Sequence, residues 1–157
     1  MLSTAATDTL GRIAHHAALD ELLHALRRGA PEESLAGLSD PVKALVSALV
    51  TGELRRPILV LAETGRRAEA IVEPLQFFCR ALGGASGASV ALLPALDALP
   101  GQGMQPHPEL LETRAAALWR FASGQVSALV APLEATLLSF APLRFYEQLS
   151  RTLVRDQ

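Results

Sequence analysis

The segment best suited to ligand chemistry spans residues 37–44 and reads Gly-Leu-Ser-Asp-Pro-Val-Lys-Ala. A phosphate-binding P-loop follows the pattern G-x-x-x-x-G-K-[ST], and Gly37 and Lys43 occupy two of its defining positions. Val42 replaces the second glycine, and Ala44 replaces the hydroxyl residue that would ligate magnesium. The pattern therefore predicts a P-loop that has lost nucleotide binding, with Gly37 and Lys43 as vestigial positions.

The other reactive residue types predict no catalytic residue, no metal site and no bound cofactor. Cys79 and Ser86 have neither a nucleophile-elbow pattern nor an identifiable histidine partner. The glycine-rich segment 83–87 follows a helix and precedes a strand, which is the reverse of the order in a dinucleotide-binding loop. The histidines have no cysteine or carboxylate at ligand spacing and suit solvated or capping roles: His15, His16, His24 and His107.

Alternating helix and strand patterns must position these residues. Helical periodicity predicts helices over residues 19–28, 40–52, 64–82, 108–123 and 133–140. Apolar, β-favouring runs predict strands over residues 35–38, 57–62, 89–93, 125–131 and 149–154. This order predicts a three-layer α/β domain with a mostly parallel sheet and helices on both faces.

Three local features refine that expectation. The strand at 57–62 is continuously apolar, which is typical of a strand covered on both faces. Thr64 is placed to cap the following helix, and Pro74 should kink or split that helix. The apolar positions Leu111, Ala115, Leu118 and Ala122 predict the buried face of the helix at 108–123.

Composition limits the function classes further. The 157 residues suit a single α/β domain over residues 1–157, in which we expect residues 1–16 to be loosely ordered. Half of the residues are apolar and 19% are charged, which excludes a disordered chain. The net charge of −2 provides no positive field for nucleic acid. The chain has neither a signal-peptide pattern nor an apolar span of membrane length, so we expect a cytoplasmic protein without a membrane partner.

One longer segment resembles a known family. Residues 93–109 read Leu-Pro-Ala-Leu-Asp-Ala-Leu-Pro-Gly-Gln-Gly-Met-Gln-Pro-His-Pro-Glu. In bacterial transcription-repair coupling factors (Mfd) the similar segment begins with a strand ending in proline, followed by an acidic pair around tryptophan. Leu-Pro, a polar loop and Pro-His come next, and then a helix with arginine and leucine. The residues in register are Pro94, Asp97, Leu99, Pro100, Pro106, His107, Arg114 and Leu118. Leu96 and Gly101 depart from the family's usual aromatic residues, whereas residues 130–132 resemble its next strand.

The resemblance covers roughly residues 19–157, and residues 37–49 resemble the altered P-loop and first helix of the family's UvrB-like module. It implies a degenerate, P-loop-NTPase-like subdomain at the N-terminus of a longer multidomain chain, with no catalysis of its own. The family is an ATP-dependent DNA translocase whose motor would lie outside this chain. It couples removal of stalled RNA polymerase to recruitment of UvrA in nucleotide excision repair.

The resemblance implies UvrA as a partner, mainly through the following domain. It implies RNA polymerase and DNA as partners of other domains, and neighbouring domains of the same polypeptide as intramolecular partners. On this resemblance the chain is a non-catalytic scaffold. The alternative that stays open is a functional P-loop-type nucleotide-binding or NTPase domain, in which Lys43 would contact the phosphates.

Overall fold

The computed structural model describes residues 4–83, 89–98 and 103–149. Within these ranges the helices are α1 (Thr4–Ala14), α2 (Ala17–Arg27), α3 (Asp40–Leu54), α4 (Gly65–Gly83), α5 (Pro108–Ala122), α6 (Leu133–Thr136) and α7 (Leu143–Leu149). The strands are β1 (Ile58–Ala62), β2 (Val90–Leu92) and β3 (Ala128–Pro132). No helix in these ranges is long and apolar enough to cross a membrane.

The three strands form a parallel sheet in the order β1-β3-β2. Ala128 of β3 lies opposite Ile58 of β1 on one side and Val90 of β2 on the other. α4 connects β1 to β2, and α5 connects β2 to β3, as parallel pairing requires. The predicted α/β architecture with a parallel sheet is therefore confirmed.

Helices pack on both faces of this sheet. On the side that we call face A, Ala128 and Val130 of β3 join a core cluster with residues of α3 and α4. On face B, Leu129 and Ala131 join a cluster with Ala117 of α5 and residues of α6. β3 is buried along its whole length because both clusters meet on it.

β1 is less covered than its apolar sequence predicts. Ile58 and Val60 pack against the face A cluster, but Leu59 and Leu61 are 49% and 51% exposed. The described cluster on face B draws on β2, β3, α5 and α6 and contains no residue of β1. The prediction that residues 57–62 form a strand covered on both faces is therefore wrong, and β3 is the strand that is buried along its length.

Two predicted features of the helices have clear outcomes. Thr64 caps α4 as predicted, since its Oγ1 accepts a hydrogen bond of 3.3 Å from the Arg67 N–H. α4 runs unbroken from Gly65 to Gly83, so of the predicted kink or split at Pro74 the split is wrong and the kink stays a prediction. A proline leaves the carbonyl four residues earlier unpaired, and here that carbonyl belongs to the exposed Ala70, where water can satisfy it.

The remaining differences concern short elements. Residues 35–38 form no strand, and the helix predicted over 133–140 is only the four-residue α6. The sequence patterns predict neither α1 nor α7. Leu149, placed in a strand by its sequence, is the last residue of α7, and the rest of that predicted strand lies outside the described residues. Residues 84–87 of the glycine-rich segment also lie outside them.

Candidate functional site

The P-loop-like segment leads into α3 but follows no strand. The chain from residue 28 to residue 39 contains turns and irregular backbone only. Gly37 has φ +74°, a left-handed conformation that glycine adopts without steric cost, and it lies in this surface connection. A P-loop needs a strand before it to hold the loop at the sheet edge. The predicted strand-loop-helix context is therefore wrong.

Lys43 is engaged in the first turn of α3. Its Nζ lies 3.1 Å from Oδ1 of Asp40, and its backbone N–H donates to the Ser39 carbonyl at 2.9 Å. The hydrogen bond and positive charge of Lys43 lower the pKa of the Asp40 carboxyl, and the more distant charge of Arg67 adds to this effect. The ammonium that a P-loop directs at phosphate is paired here with a carboxylate.

Ala44 occupies the position of the magnesium-binding hydroxyl, and it faces the protein interior. Its exposed fraction is 0%, and it belongs to the face A cluster with Ala48 and Leu75. A hydroxyl at this position would lie among apolar side chains, away from solvent. Gly37 is thus exposed, Lys43 is paired and Ala44 is buried, so the segment has neither the preceding strand nor the hydroxyl of the P-loop pattern.

Replacing Lys43 with alanine tests this local pairing. We expect the pKa of Asp40 to rise toward its ordinary value of 3.8, because the largest cause of its lowering is removed. A lowered carboxyl pKa contributes stability above the ordinary pKa, and this contribution is lost as the pH falls through the folded-state pKa. The variant should lack that acid-range dependence of stability, which denaturation at several pH values measures, while NMR titration of the carboxyl carbons measures the pKa itself. Lys43→Arg is the control, and an unchanged Asp40 titration in Lys43→Ala would contradict the pairing.

The carboxyl edge of the sheet is the other place where an α/β fold binds ligands. Such sites form between neighbouring strands whose following helices pack on opposite faces. β1 leads into α4 on face A, and β3 leads into α6 on face B, so the crevice lies between β1 and β3. Oε1 of Glu134 lies 4.0 Å from the position that a Cβ on Gly65 would take. A carboxylate at the start of α4 suits the helix dipole but repels a phosphate.

The segment that resembles the coupling factors is organised around Arg114. This arginine is only 7% exposed, and α5 directs its guanidinium toward two main-chain carbonyls. One belongs to Pro94, which follows β2, and the other belongs to Ala135 of α6, at 3.3 Å. Burial lowers the pKa of Arg114, and a charge interaction with Tyr146 opposes that shift. We call these contacts the Arg114 clamp.

Asp97 adds a second tie within the same segment. Both of its carboxylate oxygens lie 3.3 Å from the backbone N–H of His107, which precedes α5. Pro106 and Leu118 are half-buried, and Leu118 packs on the face B cluster. Leu99 and Pro100 lie outside the described residues. Wherever the structure describes contacts of these residues, they hold backbone segments together or contribute to the core.

The buried face of α5 differs from the predicted one. Leu111 is 46% exposed and Ala122 is exposed, whereas Arg114 and Ala117 are buried. The sequence analysis named Arg114 only as part of the family resemblance and gave it no place on the buried face of the helix. The available signal was its position three residues before Ala117 and four before Leu118, on one side of a helix.

Of the remaining reactive residues, His24 and Cys79 line one cavity beside α2, α3 and α4. His16 caps α2 through its Nδ1, which accepts a 3.3 Å hydrogen bond from Ala18 N–H. His24 is exposed, and in the described ranges no three His, Cys, Asp or Glu residues are grouped to hold a metal ion. Cys79 is buried on face A, and burial raises the pKa of its thiol, which disfavours the nucleophilic thiolate. Ser86 lies outside the described residues.

The chain matches no protein-family model and no curated protein. A functional assignment therefore depends on the resemblance of residues 93–118 and on the contacts that those residues make.

Proposed function

We propose that this chain is a non-catalytic scaffold: the first, P-loop-NTPase-like but degenerate, α/β subdomain of the UvrB-like module of a bacterial transcription-repair coupling factor. The observation that carries the proposal is the Arg114 clamp. Pro94 and Arg114 are two of the residues that resemble the family, and they meet in one hydrogen bond across the end of β2 and α5. The side chain of one residue of the pattern holds the backbone of another. Such residues have a structural role, and this role requires no catalysis.

The P-loop-like segment supports the non-catalytic part of the proposal. Ala44 is directed into the core and Lys43 is paired with Asp40, so neither is placed to act on a nucleotide. Glu134 adds negative charge at the crevice between β1 and β3. The chain would therefore need no cofactor and would have no enzymatic activity of its own.

In this role the subdomain acts through contacts within a longer cytoplasmic protein. UvrA would be recruited mainly by the following domain, while RNA polymerase and DNA would be engaged by other domains of the parent chain. The net charge of −2 agrees with a chain that does not bind DNA directly. The scaffold would hold its neighbours in the arrangement that coupling of polymerase removal to repair requires.

A domain exchange tests the scaffold role. We would replace the corresponding subdomain of a bacterial transcription-repair coupling factor with this chain and measure release of stalled RNA polymerase and binding of UvrA. We expect the chimera to retain both activities. When the chimera also carries Arg114→Met, we expect this module to have a lower thermal stability. A chimera that folds, as judged by circular dichroism, but fails to recruit UvrA would contradict the proposal.

Calorimetric titration with magnesium-ATP separates the scaffold from the alternative nucleotide-binding domain. We expect no binding heat up to millimolar ligand, either for the natural chain or for Lys43→Ala. Saturable binding that disappears in Lys43→Ala would instead show a working nucleotide site. It would overturn the proposal that the chain is a non-catalytic scaffold.

A further inference from the structure

Three helices each present one stripe of residues to a cavity of about 1300 Å³. The stripes follow helical spacing, with residues 20, 23, 24 and 27 on α2, residues 48, 51 and 52 on α3, and residues 79 and 82 on α4. Ser127, which immediately precedes β3, lines the same cavity. The cavity therefore lies at the edge of the sheet where the parallel strands begin, opposite to the crevice between β1 and β3.

The floor of the cavity is apolar and buried. Leu23, Ala48, Leu49 and Cys79 line it, and each is no more than 9% exposed. The space beside α3 stays open because residue 52 is glycine, and a Cβ built on Gly52 would meet no neighbouring heavy atom within 4 Å. A buried apolar floor below a polar rim is typical of sites that bind small organic molecules in cavities of roughly 300–1,000 Å³. This cavity is large enough for such a ligand.

The rim of the cavity carries unpaired carboxylates. Asp20 and Glu21 line it from α2, both are exposed, and among the described residues neither carboxylate has an ion pair or a hydrogen bond. Glu53 of α3 is neutralised by Arg27 of α2, in an ion pair that joins two walls of the cavity. Arg55 is then the one unpaired guanidinium among the described lining residues. The unpaired charge of the rim is therefore negative.

The ends of the three helices add to this negative potential. The lining residues include His24, Thr51 and Leu82, which lie in the last two turns of α2, α3 and α4. The carboxyl end of a helix carries about half an elementary negative charge, and its last carbonyls lack donors within the helix. The buried Thr51 hydroxyl already donates to the Ser47 carbonyl at 2.9 Å, so its oxygen can only accept a further hydrogen bond. These groups favour a ligand that donates hydrogen bonds and carries positive charge.

We propose that this cavity, which we call the ammonium cavity, binds an organic ammonium ion with an apolar body. The apolar body lies on the floor formed by Leu23 and Leu49, and the ammonium lies at the rim beside Asp20 and Glu21. An ammonium group has donors only, which suits carboxylates and free helix carbonyls. A phosphate or carboxylate ligand would be repelled by the same groups. The site goes beyond the proposed scaffold function and does not depend on it.

Titration of the natural chain with octylammonium chloride, followed by NMR of the histidine rings, tests the proposal. His15 and His24 line the ammonium cavity, whereas His107 precedes α5 on the opposite side of the sheet. We expect saturable shifts of the His15 and His24 resonances and no shift at His107. Octanoate and octan-1-ol have the same chain length without the positive charge and should bind about fivefold more weakly. An equal affinity for either of them, or shifts that do not saturate, would overturn the proposal.

Two charge variants test the sign of the ligand in the same titration. Glu21→Gln should weaken octylammonium binding about threefold, and Arg55→Gln should strengthen it by about the same factor. Both side chains are exposed, so neither change should affect folding. Glu73→Gln is the matched control, because Glu73 is exposed on α4 and is not among the lining residues. Effects of the opposite sign at Glu21 and Arg55 would indicate an anion site and overturn the proposal.

Replacing Gly52 with leucine tests the position of the ligand by filling the cavity. The new side chain enters open space, and leucine favours a helix more than glycine does, so thermal stability should be kept or increased. Octylammonium binding should be lost, and Gly52→Ala, which adds one methyl group, should weaken it less. Ala70→Leu is the control at an exposed position of α4 away from the cavity. A folded Gly52→Leu chain that binds octylammonium as tightly as this control would place the ligand elsewhere and refute the proposal.

Discussion

Replacing Arg114 with methionine is expected to lower the free energy of unfolding by about 3 kcal/mol. Methionine retains much of the length and apolar surface of the arginine stem but has no donor for the carbonyls of Pro94 and Ala135. Hydrogen bonds from charged groups contribute roughly 1.5–3 kcal/mol each, and the carbonyls lose their partner in a largely buried setting. The effect should be large because one side chain ties three segments together.

Urea denaturation followed by circular dichroism measures this difference. Arg114→Lys keeps the charge but not the forked donor geometry, so it should recover only part of the loss. Arg144→Met is the matched control, since Arg144 is exposed on α7, and it should change stability by less than about 0.5 kcal/mol. If Arg114→Met proved as stable as this control, the Arg114 clamp would have no energetic role.

Replacing Ala44 with threonine, the residue type of an intact P-loop, is expected to destabilise the protein by about 2 kcal/mol. Ala44 is fully buried in the face A cluster, so the larger side chain must displace its neighbours. The threonine hydroxyl would also lie in apolar surroundings, where its only local acceptor is a helix carbonyl one turn earlier. The residue that would complete the magnesium site in a working P-loop should therefore weaken this fold.

Ala44→Val separates the two causes, because valine has nearly the same shape as threonine without the hydroxyl. We expect valine to be destabilising through its volume alone and threonine to be worse. Thermal melts with and without magnesium-ATP supply the second measurement. An Ala44→Thr chain as stable as the natural one, and further stabilised by magnesium-ATP, would mean that residue 44 faces a ligand and not the core.

The sequence predicts those features of the fold that depend on the residues of a single helix or strand. The runs that became β1, β2 and β3 were recognisable as strands because each is short, apolar and β-favouring. α2, α3, α4 and α5 carry a periodicity that predicts them to within a few residues. The continuity of α4 at Pro74 was not predictable, because the cost of the proline depends on whether the carbonyl of Ala70 reaches solvent, which no local pattern encodes.

Features that depend on how elements meet were not predictable. Leu59 and Leu61 are exposed because α5 and α6 pack on β2 and β3 and not on β1. The apolar sequence of β1 does not indicate where those helices pack. The departures from the P-loop pattern at Val42 and Ala44 are visible in the sequence, but the missing strand before that segment was not predictable. Residues 35–38 are apolar enough for a strand, but they pair with no described strand and Gly37 has φ +74°.

The strand order β1-β3-β2 also determines when this domain can fold. β3 is the central strand, and it is the last of the three in the chain; β1 and β2 do not pair with each other. No hydrogen bond of the described sheet can therefore form during synthesis until residues 128–132 are available. Until then the apolar residues of β1 and β2 have no strand with which to pair. Only helices and local turns of the nascent chain can shield them from water. We therefore expect the described sheet to form only once β3 has been synthesised.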